Sequence, residues 1–140
     1  MNFLKTSFIL FMMHSLHLQA QNISDFKWKN RIIVLYEHEN NTAKVKNALQ
    51  QINNSTNKLT ERDLVVFIYK NGLLYTKENK ETTIQNNNIV PYSYDGYMLI
   101  GKDGGIKFKS HYPFDIKQVF DLIDSMPMRR SEMKSKNKLF

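Results

Sequence analysis

Three consecutive polar residues, Glu37-His38-Glu39, have side chains that could bind a metal ion or exchange protons. The apolar run before them, residues 31–36, has the pattern of a buried strand, and open α/β sheets gather ligands at the carboxyl ends of such strands. Adjacent strand residues point to opposite faces, so the three side chains converge only if the strand has ended. The pattern favours a solvated strand end, with a ligand or acid-base site as the alternative. His111 stands alone in a later loop, so no metal site is predicted.

The chain contains no cysteine among its 140 residues. Disulfide exchange and peroxide reduction require a thiolate, so thiol redox catalysis by this chain alone is excluded. Disulfides and thiolate metal ligands are excluded for the same reason. No catalytic residue and no cofactor is predicted, and Pro91 is interpreted as an ordinary loop proline. The fold must then depend on the burial of apolar side chains.

The segment Lys102-Asp103-Gly104-Gly105 has the glycines of a phosphate-binding loop. It lacks the longer glycine spacing, the Lys-Ser/Thr ending and the following helix that phosphate loops use. Apolar runs flank it on both sides, which is typical of a β-hairpin. We interpret it as a hairpin turn in which glycine supplies a positive φ.

The carboxyl-terminal segment is basic, with Arg129-Arg130 followed by Lys134, Lys136 and Lys138. An acidic polymer or an unknown protein partner could bind there, whereas nucleic acid is not expected without aromatic platforms or a groove-reading element. Met126-Pro127-Met128 should hold the backbone against the domain, so at least one of the two arginines is predicted to form ion pairs or cap carbonyl groups. The lysines are predicted to be solvated.

The first half of the chain predicts a strand-helix-strand unit. Residues 31–36 and 64–69 are continuous β-branched and apolar runs, as expected of buried strands. Between them, apolar residues at positions 45, 48, 49 and 52 follow a helical period, with Asn40 or Asn41 as the cap. A helix between two such strands predicts that they are parallel.

The second half predicts a hairpin followed by a helix. Asn71-Gly72 indicates a tight turn, and a short helix is predicted within residues 81–89. Asp115 is placed to cap the helix after the hairpin, and Pro127 either ends that helix or opens another. The remaining predicted elements are strands at 73–75, 97–100 and 106–109.

The first twenty residues have the pattern of a secretory signal peptide: Lys5, a short apolar core, and Ala20 at the cleavage position. Cleavage before Gln21 would remove Lys5 and lower the formal net charge of +7 by one. We expect an exported protein, periplasmic or extracellular, with no membrane anchor after cleavage.

Four motifs resemble those of the DUF4174 family, also described as the DUDES domain and regarded as peroxiredoxin-like within the thioredoxin-like superfamily. The motifs are Phe26-Lys27-Trp28-Lys29-Asn30-Arg31, Glu61-Arg62-Asp63-Leu64, Leu99-Ile100-Gly101-Lys102-Asp103-Gly104-Gly105, and Ile123-Asp124 with Met126-Pro127-Met128-Arg129-Arg130-Ser131-Glu132-Met133. The resemblance implies an α/β, thioredoxin-like domain with a mixed central sheet over residues 23–134, followed by a basic tail at 135–140.

The resemblance implies no established enzymatic activity. A thioredoxin or peroxiredoxin cysteine would sit at the end of the first strand, where this chain has Glu37-His38-Glu39. The expected function is therefore an interaction or structural module. The alternative is a small enzyme or ligand carrier that uses these polar residues.

Overall fold

The computed structural model describes residues 21–86, 90–91 and 93–138. After a short 3₁₀ turn at Ile23–Phe26, these residues form five strands and four helices. The strands are β1 Arg31–Tyr36, β2 Leu64–Lys70, β3 Leu73–Thr76, β4 Tyr97–Ile100 and β5 Ile106–Ser110. The helices are α1 Thr42–Asn53, α2 Thr56–Glu61, α3 Ile116–Ser125 and α4 Pro127–Asn137.

The strands form one mixed sheet in the order β3-β2-β1-β4-β5. β1 pairs in parallel with β2, starting from Arg31 opposite Leu64, and antiparallel with β4. The β2–β3 and β4–β5 pairs are antiparallel. The predicted parallel unit and mixed sheet are thus confirmed.

Alternate residues of β1 supply two separate cores, because successive strand side chains point to opposite faces. Ile33 and Leu35 pack with the buried residues of α1 and α3. Ile32 and Val34 pack on the other face with the amino-terminal turn and β2. Every residue of β1 is buried, which explains why its sequence does not alternate.

Both predicted signals for the carboxyl-terminal helices are present. The Asp115 carboxylate accepts hydrogen bonds from the backbone N–H groups of Lys117 and Gln118, at 2.9 and 3.1 Å. Pro127 occupies the first turn of α4, where a missing N–H costs nothing. α4 extends to Asn137, so part of the predicted tail is helical.

One helix between these regions has no counterpart in the sequence analysis, and one predicted helix needs correction. The sequence does not predict α2, because its six residues are polar except for the buried Leu59. The helix predicted within residues 81–89 is wrong over residues 81–86, which are not helical, and residues 87–89 lie outside the described part. Glu81 forms a bridge with Tyr75 and Gln85 forms one with Asn22, so pairing with other segments replaces helical hydrogen bonds.

Within the part of the chain that the structure describes, no helix is both long and apolar enough to cross a membrane. The predicted signal peptide, residues 1–20, lies outside the described residues.

Gly96 lies where two backbone segments come unusually close. A Cβ atom on Gly96 would be 2.1 Å from the carbonyl oxygen of Ser110, whereas one on Gly105 would meet nothing closer than 3.4 Å. We expect Gly96→Ala to lower the free energy of unfolding by about 1–3 kcal/mol, because β4 and β5 must separate. Gly105→Ala should change it by less than about 0.5 kcal/mol. Urea denaturation of both variants tests this, and equal midpoints would contradict it.

Candidate functional site

The polar residues after β1 do not form a common site. The Glu37 carboxylate accepts a hydrogen bond from the Lys70 ammonium at 3.3 Å, and the Nε2 atom of His38 lies 3.2 Å from the Tyr94 carbonyl oxygen. Glu39 is exposed and makes no ion pair or hydrogen bond with any described residue. No group of three or more metal-binding side chains occurs in the described ranges.

The side chain of Asn41 instead links the end of β1 to the loops beside it. It is buried, and its amide donates to the Tyr36 carbonyl oxygen at 3.1 Å and to the Asp95 carboxylate at 3.0 Å. Its side-chain oxygen accepts from the backbone N–H of His38 at 2.8 Å. Asn41 stands at the predicted cap position of α1 but makes no side-chain cap bond there. Sequence reasoning missed this role, because the partners of Asn41 belong to other segments.

Two tyrosines make further hydrogen bonds at this end of β1. The Tyr112 hydroxyl donates to the Tyr36 carbonyl oxygen at 3.0 Å, and the Tyr36 hydroxyl donates to the Pro91 carbonyl oxygen at 3.0 Å. Burial is the main cause that raises the pKa of both phenols, so each remains a neutral donor. His111, predicted to stand alone, stacks near Tyr94 with ring centroids 5.3 Å apart. The side chains here fix the loops against one another.

Charged residues from all four motifs meet at the opposite end of the sheet, where β1 and β2 begin. Four basic and four acidic side chains there form what we call the charge network. Its members are Arg31, Arg62, Lys102 and Arg129 with Glu61, Asp63, Asp124 and Glu132.

Arg31, the first residue of β1, is 1% exposed. Its guanidinium donates to both carboxylate oxygens of Glu132, each at 3.2 Å, and to the Arg62 carbonyl oxygen at 2.9 Å. The Lys102 ammonium reaches Glu132 and Asp63, both at 2.7 Å. The start of the central strand is therefore tied to α4 and to the β4–β5 turn.

Arg62 and Arg129 hold α2, α3 and α4 together through a shared carboxylate. Arg62 donates two hydrogen bonds to Asp124, at 3.0 and 2.6 Å, and its guanidinium lies 4.5 Å from the Phe120 ring centroid. Arg129 donates to Asp124 at 3.2 Å, and to the carboxylate of Glu61 at 2.8 Å and its carbonyl oxygen at 3.1 Å. Arg129 is buried, whereas Arg130 is exposed.

Ion pairing lowers the pKa values of Glu132 and Asp124, two carboxylates that each pair with more than one cation. Burial on its own raises the pKa of Glu132, but hydrogen bonds from Lys102 and Arg31 outweigh it and hold the value below the ordinary one. In the same way, Arg62 and Arg129 overcome the effect of burial and lower the pKa of Asp124. Both carboxylates are charged at neutral pH.

The Lys102-Asp103-Gly104-Gly105 segment is a hairpin turn in which both glycine N–H groups already have acceptors. The N–H of Gly105 donates to the Asp103 carboxylate at 3.0 Å, and the N–H of Gly104 donates to the Gly101 carbonyl oxygen at 3.0 Å. Gly104 has a φ of +82°, as the turn requires. These two N–H groups do not cradle a phosphate, because each already has a partner.

A cleft of about 360 Å³, which we call the motif cleft, opens between this turn and the α3–α4 junction. It is lined by Arg31, Gly101, Lys102, Asp103, Lys107, Met126, Pro127 and Met128. Met128 is 38% exposed.

Trp28 is 64% exposed, has a φ of +65° and donates its backbone N–H to the Lys102 carbonyl oxygen at 2.5 Å. Its exposure could not be inferred, because an isolated tryptophan is more often buried.

The sheet order and the helices packed on it form a thioredoxin-like fold, which confirms the fold expected from the sequence. A reduced 2-Cys peroxiredoxin from Plasmodium vivax is similar, with a TM-score of 0.54 and 9% sequence identity over 78% of this chain and 84% of the peroxiredoxin. The sequence profile of DUF4174, a domain of unknown function, matches residues 22–132, and the chain belongs to this family.

A second structure, the mitochondrial 2-Cys peroxiredoxin of Plasmodium falciparum, has a TM-score of 0.43 and 14% identity over 74% of this chain and 79% of its own. No protein with a curated description matches at a significant level.

Replacing Arg129 by alanine should remove one of the two arginines that Asp124 and Glu61 share, together with packed aliphatic atoms. We expect Arg129→Ala to lower the free energy of unfolding by about 2–3 kcal/mol. Arg130→Ala, one position along the same helix but exposed, should change it by less than about 0.5 kcal/mol. Urea denaturation measures both, and a loss shared equally by the two variants would refute the structural role of Arg129.

The charge network also predicts how stability depends on pH. The pKa values of Glu132 and Asp124 are lower in the folded protein than in the unfolded chain, so the unfolded chain takes up protons first as the pH falls. The stabilisation is fully present above their ordinary values near pH 4 and is lost below them.

We therefore expect the free energy of unfolding to decrease as the pH falls below about 4, with a shallower decrease in Glu132→Gln. Denaturation curves at several pH values measure this, with Glu39→Gln as an exposed control. Identical slopes for the wild type and Glu132→Gln would contradict the assignment.

Proposed function

We propose that this protein is an exported interaction module that binds a protein partner at the motif cleft. The main support is the cleft itself, where exposed Met128 stands beside residues that the charge network holds rigidly. Its wall of Met126, Pro127 and Met128 is apolar, and methionine adapts readily to the shape of a partner. A rigid support lowers the entropic cost of binding.

Charge indicates the chemistry of the partner. The charge network pairs its own cations with carboxylates, but Lys27, Lys29, Arg130 and Lys134 form no ion pair with any described residue. Lys27 packs its stem near Gly104, and Arg130 and Lys134 lie on α4, which begins at the cleft. A partner with an apolar side chain for the cleft and acidic groups around it fits this surface.

The alternative, a ligand carrier or enzyme that uses Glu37, His38 and Glu39, has less support. Glu37 pairs with Lys70, and His38 contacts a backbone carbonyl group. The polar groups at that end bond to loop backbone and to one another rather than converging on a shared space. Thiol redox chemistry is excluded because the chain has no cysteine.

Site-specific crosslinking tests the proposed surface. A photoreactive amino acid placed at position 128 should capture a partner from the exported fraction of the native host. Met128→Asp should weaken binding of that partner by at least about tenfold, as expected for a buried interface anchor. Leu73→Asp is the matched control, because Leu73 is an exposed apolar residue, 43% accessible, on the far edge strand.

Each other outcome points away from the motif cleft. Equal weakening by the two aspartate variants would refute it as the binding surface. Competition by heparin together with insensitivity to Met128→Asp would favour the acidic-polymer alternative. Loss of binding only in His38→Ala would favour the alternative site after β1.

Export is tested separately. Mass spectrometry of the protein from its native host should find Gln21 at the amino terminus, in open or cyclised form, because cleavage follows a small residue, Ala20. Recovery of the intact chain from the cytoplasm would contradict export while leaving the binding surface open to test.

A further inference from the structure

β2 has an edge that β3 covers only in part. β3 pairs with Phe67–Lys70 and ends at Thr76, opposite Phe67. The first three residues of β2, 64–66, pair with β1 on one side and with no described residue on the other. We call these three residues the open edge.

Backbone N–H and C=O groups point alternately to the two sides along β2, and this shows which of them face away from β1. The carbonyl oxygens of Asp63 and Tyr69 accept hydrogen bonds from β1 residue Arg31 and from Glu37, so odd-numbered residues of this strand face β1. Even-numbered residues therefore face the opposite side. Leu64 and Val66 each direct one N–H and one C=O group outward, and no described residue bonds to them there.

A groove of about 300 Å³ lies along the open edge. α2 forms one wall with Thr56, Leu59 and Thr60, and the segment 76–78 closes the end where β3 stops. The remaining lining residues are Leu64, Val65, Val66 and Phe67 of β2 itself. Among the residues that the structure describes, the groove therefore combines unpaired backbone groups of Leu64 and Val66 with largely apolar walls.

We propose that this groove binds an extended peptide segment of a partner protein, which adds to the sheet in line with β3 and antiparallel to β2. The backbone of such a segment would exchange hydrogen bonds with Leu64 and Val66. Its side chains would alternate between the α2 wall and the face formed by Val65 and Phe67, so small or β-branched residues fit both sides. This site is distinct from the motif cleft and does not depend on it.

A second copy of this chain is a poorer occupant. A stable interface between two folded chains buries about 1,200–2,000 Å², and an edge three residues long gives a small fraction of that area. α2 and residues 76–78 flank the edge, so a second folded chain would have to fit its own flanking elements beside them. A single extended strand can enter.

Amide hydrogen exchange measured by NMR tests the open edge directly. In the free protein, the amides of Leu64 and Val66 should exchange at least about tenfold faster than those of Val65 and Phe67, which face β1. Equal protection of all four amides in dilute protein would refute the proposal. Protection of Leu64 and Val66 that rises with protein concentration would identify a second copy as the occupant and would also refute it.

The probe is a short peptide with blocked ends and the sequence Glu-Thr-Val-Thr-Val-Thr-Glu. It should slow exchange at Leu64 and Val66 by at least about tenfold and shift the resonances of residues 64–67 and 76–78. The same peptide N-methylated at every threonine and valine is the chemical control, because it offers no central backbone donor to the edge in either register. Equal effects of the two peptides, or no effect of either, would overturn the proposal without any variant of the protein.

Two variants on α2 complete the test. Thr60→Arg places a long side chain in the groove and should abolish protection by the peptide, whereas Asn57→Arg adds the same charge to the same helix outside the groove lining. Retained protection in Thr60→Arg would refute the site. Binding at the motif cleft should be unchanged in both variants, which separates failure of this proposal from failure of the proposed function.

Discussion

The structure depends on the burial of the Arg31 and Arg129 guanidinium groups at the end of the sheet where β1 begins. Removing two such charges from water is expensive, and the cost is offset only when most of their donors find acceptors. Carboxylates and backbone carbonyl groups supply them, and bidentate pairing with Glu132 fixes the orientation of Arg31. The charge network thereby joins α2, α3, α4 and the β4–β5 turn to the central strand.

This arrangement assigns different tasks to the two ends of the sheet. At the carboxyl end of β1, Asn41 and Tyr112 bond to the Tyr36 carbonyl oxygen, so polar side chains secure loops. At the other end, paired charges support a cleft with an exposed methionine. The charged side chains of the network pair with one another, so they do not need a ligand to balance them. The apolar side chain of Met128 is therefore the group that is available to a ligand.

A thioredoxin-like fold without cysteine keeps the scaffold and lacks the thiolate on which redox chemistry depends. The fold by itself does not determine function. The two surfaces that stand out here, the motif cleft and the open edge of β2, use different physics. The first offers an apolar wall with basic residues on neighbouring segments, and the second offers backbone groups that no described residue pairs with, so they fit different parts of a partner or different partners.

The sequence by itself determined the features that rest on neighbouring residues: the buried strands at 31–36 and 64–69, the hairpin around Gly104, the cap at Asp115 and the exclusion of thiol chemistry. The motifs indicated the family, and Met126-Pro127-Met128 pointed to a held arginine without deciding between Arg129 and Arg130. Only the tertiary structure decided which charges pair, that residues 81–86 are not helical, and that α2 forms. The charge pairs join segments far apart in the chain, Gln85 pairs with Asn22, and Leu59 of α2 is buried in the core beside β1 and α3; such contacts leave no local period or spacing in the sequence.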